Sequence, residues 1–341
     1  MRFGITLANR GVLLGLTTVK QLLALADAVE TSPLLDTLWV GDALFVNPRL
    51  DAFSLLAALA GRTERVLLGT ACMGSFALRD PRVYAYKWAS LDVLSHGRTR
   101  LSVCSGGGGG AAWDAETATA ETATMDIPPA ERRRRMIENV HVLRHLWARD
   151  NEPFEGRFIR FSGITLEPKP VQAPCPIWLT TNAARLSSGQ SGTGGSALAL
   201  ERVGRVADGW MTHSVSPAEF RRSWAVILAA VTDAGRAIAG FDNVLCHHVN
   251  INEDRDAALA DGKQFLDLYY AANYSGERLE AWLAYGSPRD VVAQLQRYAG
   301  SGCSRVTVRL ATMGDAMAQL RRLTEEVLPC EPVHTSSGIR Q

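Results

Sequence analysis

The chain has 341 residues, 47% of them hydrophobic and 21% charged, a balance that supports a large buried core and lies far from the disordered range. Thirty-six Lys and Arg against 35 Asp and Glu leave a formal charge of +1, so no global field gathers nucleic-acid phosphates or anionic lipid. The six cysteines show no C-x-x-C pair, which points away from a disulfide framework or a structural zinc and toward a reducing cytoplasm. No run reaches the ~18 to 20 apolar residues of a membrane span.

In chain order, short β-rich runs alternate with helical patterns. RFGITLA (2–8) reads as a strand, and TVKQLLALADAVE (18–30) places Leu22, Leu25, Ala26 and Val29 on one helical face. A second strand at 35–41 precedes a helix with Asp51 at its cap and Leu55, Leu56 and Leu59 at helical spacing. RVLLGTAC (65–72) is a third strand, and the helix after it starts at Pro81 and stops at Gly97. The fourth strand, 98–104, runs into five glycines. Beyond them a helix spans 128–147, with Met136, Val140, Leu143 and Trp147 as its buried stripe. The span 156–175 reads as an excursion containing a hairpin, followed by a fifth strand at 176–181. A helix at 197–207, a strand at 208–213, a helix at 217–234, a strand at 243–251, a helix from 254, a strand at 304–310 and a helix at 315–327 complete the pattern.

Eight strand-then-helix units imply parallel strands joined by crossover helices. The expected fold is a single α/β domain over 1–329, a closed (β/α)8 TIM barrel with insertions after strands 4 and 5 and a polar tail at 330–341. The competing architecture, an open doubly wound sheet, needs no eighth unit and carries its glycine fingerprint after the first strand rather than the fourth. Both small-residue loops, 105–124 and 185–196, leave the C-terminal ends of strands, the face where a barrel of this kind builds its chemistry.

The glycines Gly106 to Gly110 do not open directly into a helix, so they are read as a flap over the mouth, with an inert linker as the second reading, rather than as a dinucleotide fingerprint. Gly194, Gly195 and Ser196 do lead into a helix, whose free N–H groups suit a phosphate. On local sequence alone an ordinary surface loop remains open there.

The blocks LWVGDALF, LAALAGRTERVLLGTA, LRDPRVYAYKWASLDVLSHGRTRLSV, ERRRRMIENVHVLRHLW, FSGITLEPKPVQAPCPIWL and GSPRDVVAQLQRYAGSGCSRVTVRL together resemble, in order, those of the bacterial-luciferase-like monooxygenase superfamily. The resemblance implies a barrel that binds a reduced flavin at its C-terminal mouth: FMN, as FMNH2, in the oxygenases and a deazaflavin coenzyme in a related oxidoreductase branch. It implies a non-proline cis peptide between Ala71 and Cys72, behind the flavin ring. It also places Cys104 and Ser105 beside the flavin, sends an arginine to its phosphate from the run 132–135 (Arg133, with Arg132 next), borders the ribityl chain with Thr180, Thr181 and Asn182, and gives the phosphate to Gly194, Gly195 and Ser196.

One departure matters. Asp42 matches the family's acid after the second strand, but Ala43 and Leu44 stand where luciferase has histidines. The catalytic candidates are therefore Asp42, His213 at the end of the sixth strand, and Cys104, a thiol that is reactive or simply packed. Of His247 and His248, alternation directs one into the barrel and one toward the helices. The expected activity is an FMNH2 monooxygenase acting on a small organic substrate with O2, fed by a separate flavin reductase, with a homodimer as the common family assembly. The alternatives are deazaflavin-dependent hydride transfer on the same barrel and a non-catalytic flavin-binding barrel.

Overall fold

The computed structural model describes residues 1–106, 121, 123–182 and 195–330, with residues 195 and 196 through their backbone only. Most of the 105–124 loop, the 185–194 run with Gly194, and the tail from 331 lie outside the described residues. The strands are β1 (Arg2–Leu7), β2 (Thr37–Asp42), β3 (Leu67–Met73), β4 (Thr99–Val103), β5 (Phe154–Glu155), β6 (Arg160–Phe161), β7 (Ile177–Thr180), β8 (Gly209–His213), β9 (Asp242–Ile251), β10 (Leu283–Gly286) and β11 (Arg305–Leu310). The helices are α1 (Val19–Thr31), α2 (Ala52–Ala60), α3 (Pro81–Leu94), α4 (Arg132–Ala148), α5 (Gly195–Val206), α6 (Pro217–Asp233), α7 (Arg255–Tyr270), α8 (Gly276–Glu280), α9 (Pro288–Ala299) and α10 (Ala316–Arg322).

Eight strands close a parallel ring in the order β9-β11-β1-β2-β3-β4-β7-β8, and β8 returns to β9. The expected (β/α)8 barrel is thus the observed one. Its helices start where the sequence signals them: Thr18 caps α1 with a reciprocal bond to Gln21, Asp51 accepts from the Ser54 N–H, and Pro81 occupies the first turn of α3. The excursion after α4 holds the expected hairpin, β5 against β6. Among the described residues no helix is long and apolar enough to cross a membrane.

Alternation sorts each strand into two rows. Ile5, Leu38, Leu68, Leu101, Ile177, Leu245 and Val308 pack outward under the helices as the main core. Trp39, Trp178, Met211 and Val244 pack inward as a separate layer. The two indoles lie 5.8 Å apart and fill the barrel because glycines face them: a Cβ on Gly209 would sit 2.6 Å from the Trp178 ring, and one on Gly69 would collide with Trp39. This layer makes the floor of the C-terminal mouth.

Sequence patterning did not reveal α8, β10 and α9. β10 lies parallel to the upper half of β9, pairing Leu283–Gly286 with His248–Ile251, above the stretch where β9 pairs with β8. It lifts an aromatic cluster, Tyr269, Tyr274, Trp282 and Tyr285 among it, to the rim of the mouth.

Candidate functional site

Above the tryptophan floor the upper interior of the barrel changes character from one side to the other. On the β3–β4 side the peptide between Ala71 and Cys72 is cis, as the family resemblance implies. Cys72 and Cys104 face each other there, the Cys72 thiol donating to Cys104 Sγ over 2.6 Å. That bond, with burial, raises the Cys72 thiol well above its ordinary value, and accepting it favours the thiolate of Cys104, which is lowered. Thr180 at the top of β7 stands beside this pair, its hydroxyl 2.7 Å from Ser102 Oγ, and Thr181 and Asn182 follow it, half-buried.

Asp42 is 7% exposed and already engaged. Its carboxylate accepts from the Ser75 N–H at 2.8 Å, from the Ser75 hydroxyl at 2.6 Å and from Arg79 at 3.2 Å. It ties the end of β2 to the loop after β3. Ala43 and Leu44 beyond it offer no imidazole.

In the basic run at the start of α4 the four arginines part company. Arg132 is buried, donates from Nε to the Ser105 carbonyl at 2.9 Å, and pairs with Glu121 at 3.2 Å. Gly106 permits this approach, since a Cβ there would collide with Arg132. Arg133 is exposed and lines a lateral groove of about 690 Å³ with Arg134, His141, Arg157 and Arg202. Of the expected phosphate site, Gly195 starts α5 and Ser196 follows it; their side-chain surroundings and Gly194 lie outside the described residues.

His213 ends β8, half-buried, with Nδ1 3.1 Å from the Ser214 hydroxyl and its ring 5.4 Å from Trp282. The histidine pair divides as alternation requires. His247 turns outward against Tyr298, and burial lowers it to about 3. His248 turns inward, and burial lowers it well below the ordinary histidine value, so it is neutral. Its Nδ1 lies 3.3 Å from the Trp282 carbonyl, which can only accept; the proton is therefore on Nδ1, and Nε2 is an acceptor 3.4 Å from Arg309 Nη1.

Arg309 belongs to a group on the far rim that motif reasoning passed over. It lies in the inward row of β11, 5% exposed, 4.7 Å over the ring of Tyr269, and it donates to the Tyr270 hydroxyl. The inward period of RVTVRL, which places Arg305, Thr307 and Arg309 in one row, was the signal available for it. Among the described residues no group of His, Cys, Asp and Glu is arranged to hold a metal ion.

Relatives match most of the chain. An uncharacterised protein of Mycobacterium tuberculosis is 31% identical over 176 residues, half of this chain and 54% of that one, so the chain spans about half the length of the mycobacterial relatives it matches. An F420-dependent glucose-6-phosphate dehydrogenase of Amycolatopsis mediterranei is 24% identical over 86% of this chain and 90% of its own. The crystal structure of monooxygenase RslO1 from Streptomyces bottropensis superposes with a TM-score of 0.76 over 96% of this chain and 99% of its own, at 24% identity, a likeness of fold. Residues 1–305 match the sequence profile of the luciferase-like monooxygenases, and with this coverage the chain belongs to that family.

Proposed function

We propose that the protein is a flavin-dependent monooxygenase that takes FMNH2 from a separate reductase and uses O2 to oxidise a small organic substrate. The observation that carries this choice is the β2 rim. Hydride transfer between an alcohol and a deazaflavin needs a group that holds the hydroxyl proton, and at this rim Asp42 is occupied by Ser75 and Arg79 while Ala43 and Leu44 carry no proton acceptor. Oxygen transfer needs an enclosed, water-poor face instead. Likeness to monooxygenase RslO1 supports this reading, and likeness to F420-dependent dehydrogenases supports deazaflavin chemistry as the alternative.

The residues present fit an isoalloxazine. Ala71, Cys72, Cys104 and Ser105 are small side chains around one half-buried wall, and Trp39 and Trp178 pack with Ala71 and Cys72 beneath it. In this reading those four residues hold the ring, Thr180 and Asn182 border the ribityl chain, and Arg133 with Gly194, Gly195 and Ser196 takes the phosphate. The bound flavin supplies the electrons and the activation of O2. The chain's own part is to orient the substrate, exclude water and keep the Cys72 proton between two sulfurs. His213, its Nδ1 beside the Ser214 hydroxyl, borders the mouth on the β8 side.

The test is anaerobic titration with FMNH2 and with reduced F420, followed by admission of O2. Binding of FMNH2 and oxygen uptake dependent on it are expected. Binding of reduced F420 in preference to FMNH2, with no oxygen uptake, would overturn the proposal.

A further inference from the structure

Among the described residues, the far rim of the mouth gathers positive charge without a counter-ion. Arg309, at the end of β11, is buried and its Nε has no hydrogen-bond partner. Arg10, just past β1, is 8% exposed, donates to the Tyr269 carbonyl at 2.7 Å and bonds Asn47. Arg49 folds back over the end of β2 into space that only Gly41 leaves free, since a Cβ there would collide with its guanidinium. It lies 5.9 Å from the centre of the Tyr269 ring.

The nearby carboxylates are spent elsewhere. Asp42 pairs with Arg79, Asp267 pairs with Lys263, and Asp261 accepts from Asn250, Thr312 and the Met313 N–H. Among the described residues no carboxylate pairs with Arg10, Arg49 or Arg309. Two guanidiniums against one phenol ring and a third on the same residue's carbonyl make a strongly positive spot, and Tyr269 registers it: burial alone would raise this phenol, yet Arg309, Arg49 and Arg10 bring it below its ordinary value.

A buried cation whose bonds go only to neutral groups is an unfavourable arrangement unless an anion completes it. We propose that Arg309, with Arg49 and Arg10, binds an anionic group, a carboxylate or a phosphate, on the organic substrate, with Tyr270 and Trp282 packed against its apolar body. The assignment of that anion to a substrate rests on the monooxygenase reading above. The aromatic rings are placed for it: Tyr270 and Trp282 lie 4.9 Å apart, and Trp282 meets the neutral ring of His248 at 4.6 Å. His248, held neutral with its acceptor nitrogen toward Arg309, orients the guanidinium without cancelling its charge. Arginine's planar fork suits either anion.

The same chemistry could come from the coenzyme's phosphate, and the experiment separates the two. The full chain is titrated calorimetrically with benzoate and with phenyl phosphate at fixed ionic strength, and separately with FMN and riboflavin; all titrations are repeated on Arg309→Gln and Arg49→Gln. Wild type should bind at least one of the two aromatic anions, Arg309→Gln should weaken that binding by about tenfold or more, Arg49→Gln should weaken it several-fold, and FMN affinity should hold within about twofold. Absence of aromatic-anion binding in wild type, or unchanged affinity in both variants, would overturn the site. Loss of FMN but not riboflavin affinity in the variants would assign the arginines to the coenzyme and overturn the substrate role. If Arg309→Gln fails to melt cooperatively, Arg49→Gln, at the half-buried rim, decides alone. A wild-type protein that binds the aromatic anions but neither FMN nor FMNH2 would overturn the monooxygenase reading and the substrate assignment, while leaving an anion site in place.

Discussion

Asp42 is the residue for which sequence and geometry assign different work, and Asp42→Asn tells them apart. The carboxylate takes two bonds from Ser75, itself buried, and one from Arg79, whose side chain is about a fifth exposed. Asparagine keeps the one oxygen that accepts both Ser75 bonds, while its amide nitrogen takes the place of the oxygen that accepts from Arg79 and sets donor against donor there. Arg79 retains Asp51 at 3.4 Å. What is lost is the charge assistance of about one buried bond network, on the order of 2 kcal/mol. With unfolding entropy of roughly 2.1 cal/mol/K per residue, a cooperative unit of this size should melt ~3 °C lower. Melting by far-UV circular dichroism, with oxygen uptake on FMNH2 below the transition, gives both readouts. A lower melting temperature with uptake within about threefold of wild type is expected if the carboxylate anchors the β2 rim to the loop after β3. An unchanged melting temperature with oxygen uptake lost by a hundredfold would refute the argument and make Asp42 part of the chemistry.

Two further outcomes follow from the interior. His247 is neutral when folded, at about 3, and near 6.5 when unfolded, so the unfolded chain binds more protons and stability is lost as pH falls from about 6.5 toward 3, by up to ~1.4 kcal/mol per unit; His247→Phe should flatten the acid limb of a urea-melting series by about one proton, and an unaltered slope would contradict the assignment. Gly209→Ala drives a Cβ to 2.6 Å from the Trp178 ring, overpacking the floor by ~1 to 3 kcal/mol; a variant that melts with wild type would show that the indole has room to move.

The barrel was legible because its signals are local. Capping residues, proline starts and the two-residue period each restrict a short stretch, and eight repetitions of strand and helix leave few topologies. β10 escaped because Leu283–Gly286 is too short to show a period and exists through its pairing with β9. The helix after it was within reach: Ser287 and Asp290 form a capping box around Pro288, and Val291, Leu295 and Tyr298 mark one face. At the site, the cis peptide at Ala71 followed from the family resemblance, and the inward-outward split of His247 and His248 from alternation along a strand. Which of four consecutive arginines turns inward did not, because that depends on where Ser105 and Glu121 lie, and neither is near in helical register. Arg309 was missed for a related reason. An arginine at a strand end reads as solvated until the absence of a carboxylate around it can be seen.

The formal charge of +1 and the arginine cluster at the mouth are compatible because charge acts locally in this molecule. At physiological ionic strength fields between exposed groups fade within about 8 Å, so the balance of 36 cations and 35 anions says little about a pocket where acids are tied to other partners. Within the mouth the gradient runs across the barrel, from the paired thiols of Cys72 and Cys104 to the guanidinium of Arg309, with Cys246 between them and its thiol pushed up to about 12 by burial. Cys246 stays protonated at neutral pH even though it lies on the strand paired with β11, within reach of the Arg309 charge. Under the proposed assignment, a substrate that carries an anion at one end and an oxidisable apolar group at the other is aligned by this gradient, its charge drawn to β11 and its body left over the wall formed by Ala71, Cys72 and Cys104. Salt should weaken the first capture at half-buried Arg49 before it weakens the seated contact at Arg309, because screening reaches the rim and not the interior.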